Sequence, residues 1–120
     1  MGVKRRAQAL AKQIWDFCAE WDAKEPPSPN YLRSSTPEMF NKNMEMFKTY
    51  GQAMTDYDKK RRLEFGSRFS GRIESIRDQL AEYGQRSERL DMNVRFSGVG
   101  GFFPEEIARK LQSLADKIKE

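Results

Sequence analysis

Histidine is absent from this sequence, and Cys18 is its only cysteine. Without imidazoles, the chain has no histidine-dependent catalytic triad, no histidine general base and no histidine switch near neutral pH. A single cysteine excludes a disulfide within the chain, and together with the missing histidine it excludes Cys₂His₂ and Cys₄ zinc sites. We therefore expect no metal, no cofactor and no catalytic residues, and a reducing, cytoplasmic compartment.

Long apolar runs are also missing, since none approaches the roughly 20 residues that span a bilayer. The N-terminal segment is basic but lacks an apolar core and a cleavage site, so no secretory signal is predicted. Neither a membrane nor a small-molecule partner is expected. The chain has 120 residues, of which 38% are hydrophobic and 12% aromatic. This composition favours one folded domain over disorder.

What the sequence does have is apolar residues at helical spacing along most of its length. No strand pattern is present. Pro26, Pro27 and Pro29 must end the first helix, because proline lacks a backbone N–H and fixes φ. We predict a single all-α domain, a small bundle of three to four helices around a long central helix. Its predicted elements are a helix over about 3–24, a proline-rich connector over 25–35, a long helix or helix pair over 36–84, a loop over 85–103 and a helix over 104–119.

The central segment begins with Thr36 at a capping position and Pro37 in the first helical position, and Gly84 suits its end. One helix of this length would measure about 73 Å, far beyond a compact domain. Two alternatives stay open: a continuous but bent helix, favoured because the apolar phase carries through, or a break within 58–71. Its apolar stripe consists of Phe40, Met44, Phe47, Tyr50, Met54, Tyr57, Phe65, Phe69, Ile73, Ile76, Leu80 and Tyr83.

Two glycines, Gly66 and Gly71, lie within this stretch. They mark either a kink or a close crossing with the first helix, where Ala7 and Ala11 have the same small-residue spacing. The first and last helices, about 33 Å and 24 Å long by their predicted lengths, could together cover most of one face of the central helix.

A basic cluster interrupts the apolar stripe and is the candidate binding surface. On one helix, Arg61, Arg68 and Arg72 lie within about 40° of one another, so their guanidinium groups could follow a phosphate backbone. The competing interpretation is a solvated face that pairs with Asp58 and Glu64. The cluster consists of Lys59, Lys60, Arg61, Arg62, Arg68 and Arg72.

These features predict a non-enzymatic protein-interaction or self-association module that uses the central helix, with a protein partner or a second copy as its occupant. The six methionines agree with this, because flexible thioether side chains adapt to a partner surface. The alternative prediction is a nucleic-acid-binding protein that uses the basic cluster, in keeping with the net charge of +4.

Overall fold

The computed structural model describes residues 2–33, 35–86 and 102–119, and these residues form three helices and no strand. The predicted all-α bundle around a long central helix is confirmed. The predicted loop over 85–103 lies outside the described residues except at its two ends. The helices are α1 (Val3–Asp22), α2 (Pro37–Glu82) and α3 (Pro104–Asp116).

The central helix α2 is continuous over 46 residues, as the favoured alternative predicted, and the alternative of a break within 58–71 is excluded. The hydroxyl of Thr36 accepts a hydrogen bond from the backbone N–H of Met39 at 3.2 Å, and Pro37 occupies the first turn. Gly84, with φ of 75°, follows the helix and ends it. At 1.5 Å per residue α2 is about 69 Å long, close to the 66 Å long axis of the molecule.

Helix α1 runs antiparallel to the C-terminal half of α2. Near one end Arg6 donates a hydrogen bond to the side chain of Gln79. Near the other end the hydroxyl of Tyr57 donates to the backbone carbonyl of Trp21 at 2.6 Å. Helix α1 therefore covers α2 only from about Tyr57 onward.

Helix α3 packs mainly on α1 and touches α2 much less. The expectation that the first and last helices jointly cover one face of the central helix is therefore wrong, because α3 stacks on α1 and does not extend its cover. All buried residues of α2 lie at or beyond Phe65. The radius of gyration, 19.3 Å, exceeds the about 14 Å of a compact chain of this length, because the first half of α2 projects from the bundle. The core consists of Val3, Ala7, Leu10, Ala11, Ile14, Phe17, Cys18, Phe65, Phe69, Ile73, Ile76, Leu80, Phe102, Ile107, Ala108, Leu111, Leu114, Ala115 and Ile118.

The close crossing expected at the two glycines is not present. A Cβ atom built on Gly66 or on Gly71 would meet no atom within 4 Å. Glycine is needed at a crossing only where another backbone approaches closely, and here the space is open. The continuous helix also excludes the turn that these glycines could have formed.

The proline-rich connector returns along the projecting half of α2. The side chain of Asn43 binds it twice, since Nδ2 donates to the carbonyl of Leu32 and Oδ1 accepts from the N–H of Leu32, each at 2.7 Å. A groove between connector and helix is lined by Pro26, Met46 and Tyr50, among others. At 100° per residue, Tyr50 and Met46 lie about 80° and 120° around α2 from Phe40, so the connector leaves the face of Phe40 open.

Candidate functional site

The projecting half of α2 carries an apolar row that no described helix covers. We name it the uncovered stripe: Phe40, Met44, Phe47, Gly51 and Met54. At about 100° per residue the first four lie within about 40° of the mean direction of the buried residues of α2, and Met54 lies about 60° from it. Yet Phe40 is 55% exposed, Met44 42% and Phe47 60%. The stripe therefore continues the face of α2 that is buried further along, but no described helix packs on it there.

The part of α2 that α1 covers ends at an aromatic contact. The ring of Trp21, in the last turn of α1, packs against the ring of Tyr57 with centroids 5.7 Å apart. Burial raises the pKa of Tyr57 above its ordinary value, so its hydroxyl stays a hydrogen-bond donor to the end of α1. The prolines that follow cannot continue α1 along the stripe.

Two members of the basic cluster form ion pairs with a carboxylate of their own helix. Arg62 Nε donates to Asp58 Oδ2 at 2.9 Å, and Arg61 Nη2 lies 3.9 Å from Asp58 Oδ1. The guanidinium carbons of Arg61 and Arg62 also lie 5.0 and 5.5 Å from the ring centroid of Phe102. Both cations thereby cover the aromatic side chain that precedes α3.

Two other members join α2 to α1. Arg68 Nη1 contacts Glu20 Oε2 at 3.0 Å, and Arg68 Nε contacts Glu64 Oε1 at 2.7 Å. Arg72 donates a hydrogen bond to the side chain of Gln13. The hydrogen bond from Arg68 lowers the pKa of Glu20, and the hydrogen bonds to Glu20 and Glu64 raise that of Arg68.

Lys59 and Lys60 are exposed and form no ion pair with the residues that the structure describes. They point about 100° and 200° around the helix from Phe40. The predicted row of Arg61, Arg68 and Arg72 does share one side of α2, but each of these side chains has a partner within the chain. The cluster as a whole is spread around the helix.

The Glu20–Arg68 pair predicts a pH dependence. The pKa of Glu20 is lower in the folded protein than in the unfolded chain, so its contribution to stability is present above about pH 4.3 and is lost as the pH falls through the folded-state pKa. We expect the free energy of unfolding of Glu20→Gln to fall less steeply than that of the parent as the pH is lowered through this range. Urea titrations at a series of pH values measure it. The size is small because the pair is solvent-exposed.

The described residues give little support for a reactive thiol, a metal site or a membrane-spanning helix. Cys18 is buried, and this burial raises the pKa of its thiol to about 12, so it is a poor nucleophile. Within residues 2–33, 35–86 and 102–119, no group of three potential metal ligands converges. In the same ranges no helix is both long enough and apolar enough to cross a membrane.

The sequence revealed the residues of the uncovered stripe but not their exposure. Spacing assigned Phe40, Met44 and Phe47 to the same face as the core, but it did not show how far along that face the first helix would extend. The available indication was the difference in length between α1, with 20 residues, and α2, with 46.

No protein-family model matches the chain, and no significant match was found among curated proteins or solved structures. Function must therefore be inferred from the arrangement of its own residues.

Proposed function

We propose that this protein is a non-enzymatic helical interaction module that docks another polypeptide helix on the uncovered stripe. The observation that supports this is the division of one apolar face of α2 into a buried half and an exposed half. Phe65 is fully buried, whereas Phe47, on the same face, is 60% exposed. Contiguous exposed apolar surface of this kind marks interaction sites. We further propose a cytoplasmic location, where the single thiol stays reduced.

The spacing of the stripe indicates the shape of the partner. From Phe40 to Met54 the steps are four, three, four and three residues, which is the seven-residue repeat of a coiled coil. Such a seam receives the side chains of a facing helix between its own. The flanking positions carry Asn41 and Lys48 on one edge and Asn43 on the other, which gives the apolar row the polar rim that interfaces have.

Nucleic-acid binding through the basic cluster has weaker support. Arg61, Arg62, Arg68 and Arg72 each contact a carboxylate, an aromatic ring or an amide of the same chain. A phosphate backbone would have to compete with these partners. Only the two lysines remain for it, and they point in different directions.

The stripe can be tested by site-specific photocrosslinking. A photoreactive residue in place of Met44 should yield covalent adducts in cells that express the protein. A second substitution, Phe47→Lys, should abolish these adducts, because a lysine in the seam places an unpaired charge against the partner. Since Phe47 is exposed in the single chain, the bundle itself should stay folded.

The matched control is Leu63→Lys. Leu63 is 65% exposed, as exposed as Phe47, but it lies about 140° around α2 from Phe40. This variant should keep the Met44 adducts. Equal loss of adducts in both variants, or no adduct at position 44 in the parent protein, would overturn the proposal.

A further inference from the structure

We propose that the helix docked on the uncovered stripe is the same stripe of a second copy, running antiparallel, so that two copies form a two-fold symmetric dimer. This inference rests on the proposed function and names its partner. In an isologous interface the same patch serves both copies, so each contact occurs twice.

The position of the bundle determines the direction of the second copy. Helix α1 lies on the stripe face of α2 from Phe65 onward, where the ring of Phe17 contacts the rings of Phe65 and Phe69. In a parallel pair, the two α1 helices would occupy the same space between the two copies of α2. In an antiparallel pair, residues 37–56 of each copy lie together and each bundle extends past Thr36 of the other. The second copy's α2 then continues the line of α1 along the uncovered face.

Gly51 gives the register of this pairing. A Cβ atom on Gly51 would meet no atom within 4 Å, so nothing in the single chain requires glycine there. Glycine nevertheless costs a helix about 1 kcal/mol relative to alanine. In the antiparallel pair with Met44 opposite Phe47, Phe40 of the second copy lies opposite Gly51. The small residue thereby leaves room for the large ring, and large–small alternation fills each layer.

The charges of the paired segment permit self-association. Residues 37–57 carry three acidic side chains (Glu38, Glu45, Asp56) and two basic ones (Lys42, Lys48), a net charge of −1. The chain as a whole carries +4, so the rest of it is basic. The segment that carries the stripe therefore lacks the excess positive charge of the chain as a whole, which would make two copies repel each other.

The exposed rings of the stripe supply part of the area that a weak dimer needs. A phenylalanine side chain carries roughly 150–250 Å² of surface, and Phe40 and Phe47 each expose more than half. The four rings of two copies would thus bury about 400 Å², roughly a third of the about 1,200 Å² at the lower limit of stable interfaces. Met44, which is 42% exposed, and Met54 add to this area in each copy. We expect dissociation at micromolar concentration.

Disulfide crosslinking tests the register. Two single substitutions, Phe40→Cys and Gly51→Cys, are made in separate proteins of different mass, which are mixed and mildly oxidised. Cys18 can remain, since burial raises the pKa of its thiol to about 12. The antiparallel register predicts that the disulfide between position 40 of one protein and position 51 of the other dominates. Dominant 40–40 and 51–51 disulfides would overturn it in favour of a parallel pair.

Sedimentation of the unmodified protein tests the dimer without any cysteine variant. We expect a dimer whose dissociation constant increases at least about 100-fold in Phe47→Lys, because both copies lose a central side chain. Leu63→Lys should sediment as the parent does. A monomer at every concentration, with no disulfide in the mixture, would overturn the second copy as the occupant. Photocrosslinked adducts at position 44 would then identify another polypeptide, and their absence would overturn the proposed function as well.

Discussion

Replacing Phe65 by alanine is expected to lower the free energy of unfolding by about 3–5 kcal/mol. Phe65 is fully buried where α1, α2 and the segment before α3 meet. Its ring lies 5.4 Å from that of Phe17, 5.1 Å from that of Phe69 and 5.1 Å from that of Phe102, centroid to centroid. Truncation removes all three aromatic contacts and leaves a cavity. A small domain has only about 5–15 kcal/mol of total stability, so this one side chain carries much of the fold.

Urea unfolding followed by far-UV circular dichroism measures the change. The matched control is Phe47→Ala, on the same face of the same helix but 60% exposed. In dilute protein it should change stability by less than about 0.5 kcal/mol, as surface substitutions do. If Phe65→Ala does not fold at all, Phe65→Leu supplies a milder truncation with a measurable loss. Similar losses for alanine at positions 47 and 65 would contradict the division of α2 into covered and uncovered halves.

Local sequence rules predicted the helices well, because each helix end depends on neighbouring residues. Thr36 and Pro37 begin α2 as predicted, since a hydroxyl acceptor and a fixed φ act within one turn. The three prolines end α1, and Gly84 ends α2. The sequence favoured one continuous central helix, because the apolar phase carries through beyond the basic cluster, but it left a break within 58–71 open.

The tertiary arrangement could not be predicted in the same way. Periodicity gives the face that a helix buries but not how far along it the cover extends. How much of α2 is covered depends on where α3 packs. Because α3 packs mainly on α1, Phe47 stays exposed. The basic cluster shows the same limit. Arg61 is held by the ring of Phe102, about forty residues further along the chain, and no local pattern indicates such a contact.

The glycines of α2 lead to the second large expected effect, a gain in stability. We expect Gly66→Ala with Gly71→Ala to raise the free energy of unfolding by about 2 kcal/mol. Each glycine lies inside a continuous helix, and a Cβ at either position would meet no atom within 4 Å. Alanine is favoured over glycine in a helix by about 0.8–1.0 kcal/mol per site, largely because it restricts the unfolded chain. Urea unfolding of the double variant measures the sum.

Gly84→Ala is the contrasting control. Among the described residues only Gly84 has a positive φ, 75°, and alanine in this left-handed conformation costs roughly 1–2 kcal/mol. The same substitution should therefore stabilise the protein inside α2 and destabilise it just beyond its end. A loss of stability at Gly66 or Gly71 would mean that another backbone does approach them closely, as a helix crossing requires. A gain there would leave Gly84 as the one of these three glycines that the backbone conformation requires.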